Sequence, residues 1–171
     1  MQAKQALKSQ YSLFYHTVAM NTEGMTHEDS MIQPAPAGNC ANWILGHLVG
    51  AQNMIMDVIG EVPVWESDTL ANAGGEPITD ESQAIDWDTA RSKLLGSQNR
   101  CLAAIENLTD EQLDKGGYSN PLGGEITLGG LINFFAYHQA YHAGQLGISR
   151  RLAGYESAIN PEREKAVEKT T

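Results

Sequence analysis

Apolar residues recur along this chain with the three-to-four-residue period of an amphipathic helix in four separate stretches, and no stretch alternates every second residue as a half-buried strand requires. The first, about residues 2 to 22, spaces Leu7, Tyr11, Phe14 and Val18 down one face and closes at Asn21-Thr22-Glu23-Gly24. A loop containing Pro34 and Pro36 follows. The second runs from Asn39, a side chain suited to capping, to Gly60, with Ile44, Leu48, Ala51, Ile55 and Ile59 on its buried stripe. The third is predicted from a cap at Asp88 to Leu108 and should bury Leu94, Leu95, Cys101, Leu102, Ile105 and Leu108. Thr109-Asp110-Glu111-Gln112 then has the spacing of a capping box that opens one short helical turn. A Gly-rich break over 116 to 124 precedes Thr127, the cap of the fourth helix, which ends at Gly154 with Arg150 and Arg151 complementing its dipole.

No strands or repeats are detected, so the expectation is an all-α bundle of four helices over residues 1 to 154, followed by a polar, solvated tail over 155 to 171. Residues 61 to 86 read as a long loop anchored by Trp65, and a loop of that length in a compact domain is more often a functional lid than a connector. With 171 residues and 42% hydrophobic content the chain can bury a single core.

Charge narrows the partners. Eleven Lys and Arg stand against 21 Asp and Glu, a net charge of −10, which argues against a nucleic-acid surface. No apolar run approaches the roughly 20 residues that span a bilayer, and Met1-Gln2-Ala3-Lys4-Gln5 is not a signal-peptide opening, so a cytoplasmic protein with no membrane partner is expected. Cys40 and Cys101 lie in apolar patterns and read as small buried hydrophobes.

The chemistry is carried by histidine. His138 and His142 stand four residues apart, so they project from one face of the fourth helix, and that face is the apolar one that also holds Leu128, Leu131, Ile132, Phe135, Leu146 and Leu152. A buried imidazole needs a partner for its ring nitrogens, either a polar neighbour or a metal. His47 sits on the core stripe of the second helix, flanked by Gly46 and Gly50, and a bundle with two long crossovers can bring it beside the other two. Three neutral imidazoles can hold one divalent metal with coordination positions left open, and imidazole suits zinc, nickel, copper or iron. Gln145, one turn beyond His142, is a candidate for orienting a ligand. His16 and His27 fall outside this group. Trp43, Phe134, Tyr137 and Tyr141 are expected to pack bundle interfaces, while Met54 and Met56 are expected to be exposed beside the second helix's stripe.

The pair of segments NWILGHLVGAQNMIMDVIG and AYHQAYHAGQLGISRRLAG resembles the DinB/YfiT-like metalloenzymes, and the resemblance spans about residues 1 to 154. It implies an up-down-down-up four-helix bundle and one divalent metal, nickel or zinc, on His47, His138 and His142. It also implies a homodimer and a small-molecule substrate, since characterised members include enzymes that use a low-molecular-weight thiol as co-substrate. Three functions are therefore in play: a thiol-activating transferase, a hydrolase using metal-activated water, and a bundle that only binds a metal or small ligand. No carboxylate accompanies the histidines in the manner of His-Glu-x-x-His, which disfavours the hydrolase.

Overall fold

The computed structural model describes residues 2 to 159. Its helices are α1 (Gln2–Thr22), α2 (His27–Ser30), α3 (Ala41–Val58), α4 (Trp87–Gly96), α5 (Gln98–Asn107), α6 (Asp110–Asp114) and α7 (Leu128–Leu152). The first expected helix is α1, the second α3, the third the α4–α5 pair and the fourth α7.

Side-chain bonds between helices give their directions. Tyr11 donates to the Ile132 carbonyl at 3.2 Å and Asn21 to that of Ala143 at 2.8 Å, so α1 and α7 run parallel. Lys4 reaches the Leu108 carbonyl at 3.0 Å while Tyr15 bonds Ser97 at 3.0 Å, which makes the α4–α5 pair antiparallel to α1. Asn42 bonds the Ile85 carbonyl and Gln52 bonds Cys101, so α3 runs parallel to α4–α5. The bundle is therefore up-down-down-up, with the core formed where the expected stripes meet: Leu7, Tyr11, Phe14 and Val18 of α1 and Ile44, Leu48, Ala51 and Ile55 of α3 are all buried.

Several local expectations need correction. The cap of α3 is Cys40 rather than Asn39, and no side chain closes that end. Asp86, not Asp88, caps α4 by accepting from the Thr89 amide at 2.8 Å. The third helix is broken at Ser97, whose hydroxyl turns inward to Leu94 and Tyr15. A short helix, α2, had escaped the periodicity because one turn has no period, although Thr26 and Asp29 form its capping box. The Gly-rich break holds a two-stranded hairpin of β1 (Tyr118–Ser119) and β2 (Glu125–Ile126), too short to alternate visibly. Leu152 is 48% exposed, and Leu95 and Leu102 are only partly buried. The capping box at Thr109 and the Thr127 cap are formed as expected.

The polar segment after 154 does not begin free of the bundle. Tyr155 bonds the Gly24 carbonyl and the Asp29 carboxylate, each at 2.7 Å, and Arg150 lies over its ring. The rest of the expected tail, from residue 160, lies outside the described residues.

Residues 61 to 86 form an ordered strap across α3. Its start is clamped by Asn53, which accepts from the Val64 amide at 2.7 Å and donates to the Trp65 carbonyl at 2.7 Å. Its end is clamped by the fully buried Asn42, which pairs with both backbone groups of Ile85 at 3.0 and 3.1 Å. Each asparagine offers an amide that satisfies an irregular backbone where no ladder exists to do so. Between the clamps a 3₁₀ segment, Asp68–Gly74, lies on α3.

Candidate metal centre

α3 and α7 face each other near their middles, and their antiparallel packing brings His47 against His138 and His142. One ligand-capable ring nitrogen from each lies within 4.8 Å of the other two. Nε2 of His47 is 3.1 Å from Nε2 of His138. The expectation that these three residues meet is thus realised, while His16 lies exposed on α1 and His27 in α2, neither in the group.

Two of the rings are fixed by acceptors. His47 Nδ1 lies 3.0 Å from the Ala73 carbonyl, and since a carbonyl oxygen only accepts, Nδ1 carries the proton and Nε2 a lone pair. His142 Nδ1 is 2.7 Å from Gln145 Oε1, which imposes the same tautomer. Sequence reasoning singled out Gln145, and its side-chain oxygen is engaged with His142. Ala73 could not be found that way, because a backbone carbonyl carries no residue signature. Gly46 is the trace it leaves: a Cβ there would stand 2.7 Å from Ala73 Cβ, so only glycine lets the strap come down onto α3 beside His47.

His138 is less well satisfied. Its Nδ1 is buried with no partner, and a buried polar nitrogen without one calls for an ion or water. Burial, then the nearby His142 and His47, push its pKa down to about 4. Burial likewise lowers His47 and His142, each against one hydrogen bond that raises it. No carboxylate acts on any of the three rings among the described residues. All three are consequently neutral at pH 7, the form a divalent metal requires, and the donor set fits such an ion.

Aromatic walls surround the rings. Trp43 stacks on His47 with centroids 4.8 Å apart and planes 12° from parallel, and Phe134 lies over His138 at 6.2 Å and 24°. Trp43 is buried as expected, but Tyr137 and Tyr141 are 70% and 57% exposed rather than buried between helices. Met54 is exposed at 58%, whereas Met56, expected to be exposed too, is fully buried because α3 is covered on that side. Both cysteines are buried, and burial raises their thiols above the usual range.

A cavity of about 410 Å³ opens against His47 and His138. α3 supplies Gly50 and Met54 to it, the strap supplies Leu70 and Ala73, and α7 supplies Phe134. Pro121 of the Gly-rich segment also reaches it. The strap and hairpin thus border the centre, as a lid would.

Two facing helices of the bundle thus bring three imidazoles together beside a cavity, in an arrangement that could hold a metal ion. The family model of the DinB superfamily matches residues 10–146, and the chain belongs to that superfamily. Among solved structures, it is similar to one described as "YfiT from Bacillus subtilis is a probable metal-dependent hydrolase with an unusual four-helix bundle topology", with a TM-score of 0.67 and 18% identity over 90% of this chain and 89% of that one. A conserved protein from Enterococcus faecalis is similar with a TM-score of 0.65 and 15% identity, over 87% of this chain and 95% of that one. No curated protein sequence matches the chain. Among the described residues, no helix is long and apolar enough to cross a membrane.

Proposed function

We propose that the protein is an enzyme that holds one divalent ion, nickel or zinc, on His47, His138 and His142 and transfers a low-molecular-weight thiol to an electrophilic small molecule. The observation that carries this reading is the set of three converging neutral imidazoles, on which no carboxylate among the described residues acts. When bound, the ion supplies a Lewis acid that favours the thiolate of a coordinated thiol at neutral pH. The protein's own contribution is orientation: Ala73 and Gln145 hold two rings with their Nε2 lone pairs free, and Trp43 and Phe134 stack on the His47 and His138 rings. In the transfer the thiol proton leaves to solvent, sulfur forms a bond to the electrophilic carbon, and the leaving group departs with its electron pair. No step needs a protein base, in keeping with what lines the site.

A hydrolase is the second reading, supported by the likeness to YfiT, whose description names it a probable metal-dependent hydrolase. A hydrolase ordinarily adds a protein base that takes a proton from the attacking water, and neither the Gln145 amide nor the aromatic walls supply one. The third reading, passive binding with Gln145 as a fourth ligand, is disfavoured because its Oε1 is already engaged with His142.

In this reading the enzyme works in the cytoplasm as a homodimer. The dimer is supported by the exposed Tyr137, Tyr141, Ile148 and Leu152, which share a stripe of α7, with Leu13 exposed on the neighbouring α1.

Metal content of the purified protein, with thiol-plus-chlorodinitrobenzene assays, tests the reading. One metal per chain, lost in His47→Ala, His138→Ala and His142→Ala, together with turnover that requires thiol, is the expected result. Ester or amide hydrolysis without thiol selects the second reading. Metal-free protein that gains no metal from solution sinks both.

A further inference from the structure

We propose that the cavity beside His47 and His138 is the subsite for the electrophile and that it takes an uncharged, ring-sized apolar group, with Gly50 setting how large that group can be. The proposal rests on the metal-dependent reading for its reacting end, and on the cavity alone for its selectivity.

Among the described residues, no lysine, arginine, aspartate or glutamate lines the cavity, and His47 and His138 are the only polar side chains on its wall. Away from the histidines, a charged group that entered would shed its hydration and find no counter-charge on the wall, whereas an apolar group would leave water for apolar walls. Phe134 and Phe135 meet edge to face at 5.6 Å, and Met54 offers a flexible thioether at the rim, a combination that suits a flat ring. With both histidines at one end, a bound group must present its reactive atom there. The volume of about 410 Å³ lies at the small end of the range for ligand sites, roughly 300–1,000 Å³.

Gly50 supplies the second observation. It sits inside α3, where glycine weakens a helix relative to alanine. Gly46 is explained by the close approach of Ala73, but a Cβ on Gly50 would meet nothing within 4 Å, and its backbone is ordinarily helical. Neither sterics nor conformation asks for glycine at this position. What a side chain at residue 50 would do is occupy the cavity that Gly50 lines.

The test uses a matched pair of fluorescent probes that share one skeleton, uncharged N-phenyl-1-naphthylamine and anionic 1-anilino-8-naphthalenesulfonate, titrated into the full-length protein with and without metal. The uncharged probe is expected to bind saturably at one site, at least tenfold tighter than the anionic one. Gly50→Ala should weaken it severalfold and Gly50→Leu at least tenfold, with helical circular dichroism and metal content unchanged. Should Gly50→Leu lose its helical signal, Leu70→Trp, which fills the same space from the strap, carries the test. Absent saturation, equal affinity for the anionic probe, or wild-type affinity in the cavity-filling variant overturns the proposal. The metal measurement is separate: a protein that takes no metal yet shows this probe pattern keeps the cavity proposal and loses the metal reading. One that loads metal but fails the probe pattern does the reverse.

Discussion

The backbone carbonyl of Ala73 accepts the Nδ1 proton of His47 at 3.0 Å, and it can do so only because Gly46, one residue before the histidine, has no side chain to hold the strap away. The segment over 61 to 86 is therefore part of the candidate metal centre as well as its border. Gly46→Ala should improve α3 as an isolated helix, yet it pushes a Cβ to 2.7 Å from that of Ala73 and forces the strap outward. The expected outcome is a loss of roughly 10- to 100-fold in metal affinity, the usual cost of removing a partner that orients a ligating histidine. Competition titration with a chelator of known affinity measures it. Shortening the strap should lower metal affinity for the same reason, contrary to the simpler view of it as a lid alone.

Gln145 gives a sharper case, because its role can be restored chemically. Its Oε1 accepts from His142 Nδ1 at 2.7 Å. Gln145→Leu removes the acceptor and should weaken metal binding about 10-fold or more, while Gln145→Glu keeps an oxygen in place and should recover most of it. Equal metal affinity in the wild type and both variants would show that the hydrogen bond does not position His142.

How much of this was legible beforehand depends on what carries the information. His138 and His142 could be paired from spacing alone, since four residues is one helical turn, and His47 could be added because it shares a stripe with Ile44 and Ala51. Thr127 and Thr109 announced their helices because capping is a local side-chain signal. The two strap clamps were not legible. Asn42 and Asn53 pair with backbone 43 and 11 or 12 residues away, and nothing in an asparagine states which distant backbone it will satisfy. The exposure of Tyr137 and Tyr141 misled for a related reason: aromatic residues at helical spacing resemble core whichever way the face turns.

Acid sensitivity follows from the depressed histidines. With its folded pKa near 4 and an ordinary value of 6.5, His138 takes up its proton more readily in the unfolded chain. Between those values the unfolded state binds more protons, so the stability of the metal-free protein should be full above pH 6.5 and fall as pH drops toward 4. His47 and His142 are shifted in the same direction and add to this window. Asp29 and Asp86, held below their usual 3.8 chiefly by hydrogen bonds, have the opposite shift relative to charge, and what they contribute is lost only at still lower pH. Urea unfolding from pH 7.5 to 4.5 should therefore show a decline that His138→Leu flattens. An identical slope in that variant would remove His138 as the cause.

The last prediction concerns a buried polar layer between the helices that carry the three histidines. Gln139 Nε2 donates to Gln52 Oε1 at 2.7 Å, and Gln52 Nε2 reaches Cys101 Sγ at 3.3 Å, so α7, α3 and α5 are joined through side chains that are fully buried. Gln139 Oε1 has no partner, so the Gln52 bond is what compensates the burial of that amide. Gln52→Leu removes the acceptor and leaves the Gln139 amide with neither end paired, at a cost of about 1–3 kcal/mol in unfolding free energy. Gln52→Leu combined with Gln139→Leu removes both polar groups together, and the pair should then be less destabilising than the single change. Equilibrium unfolding of the wild type, both single variants and the double variant measures the coupling. A double variant whose loss is the plain sum of the two singles would show that the two amides do not depend on each other.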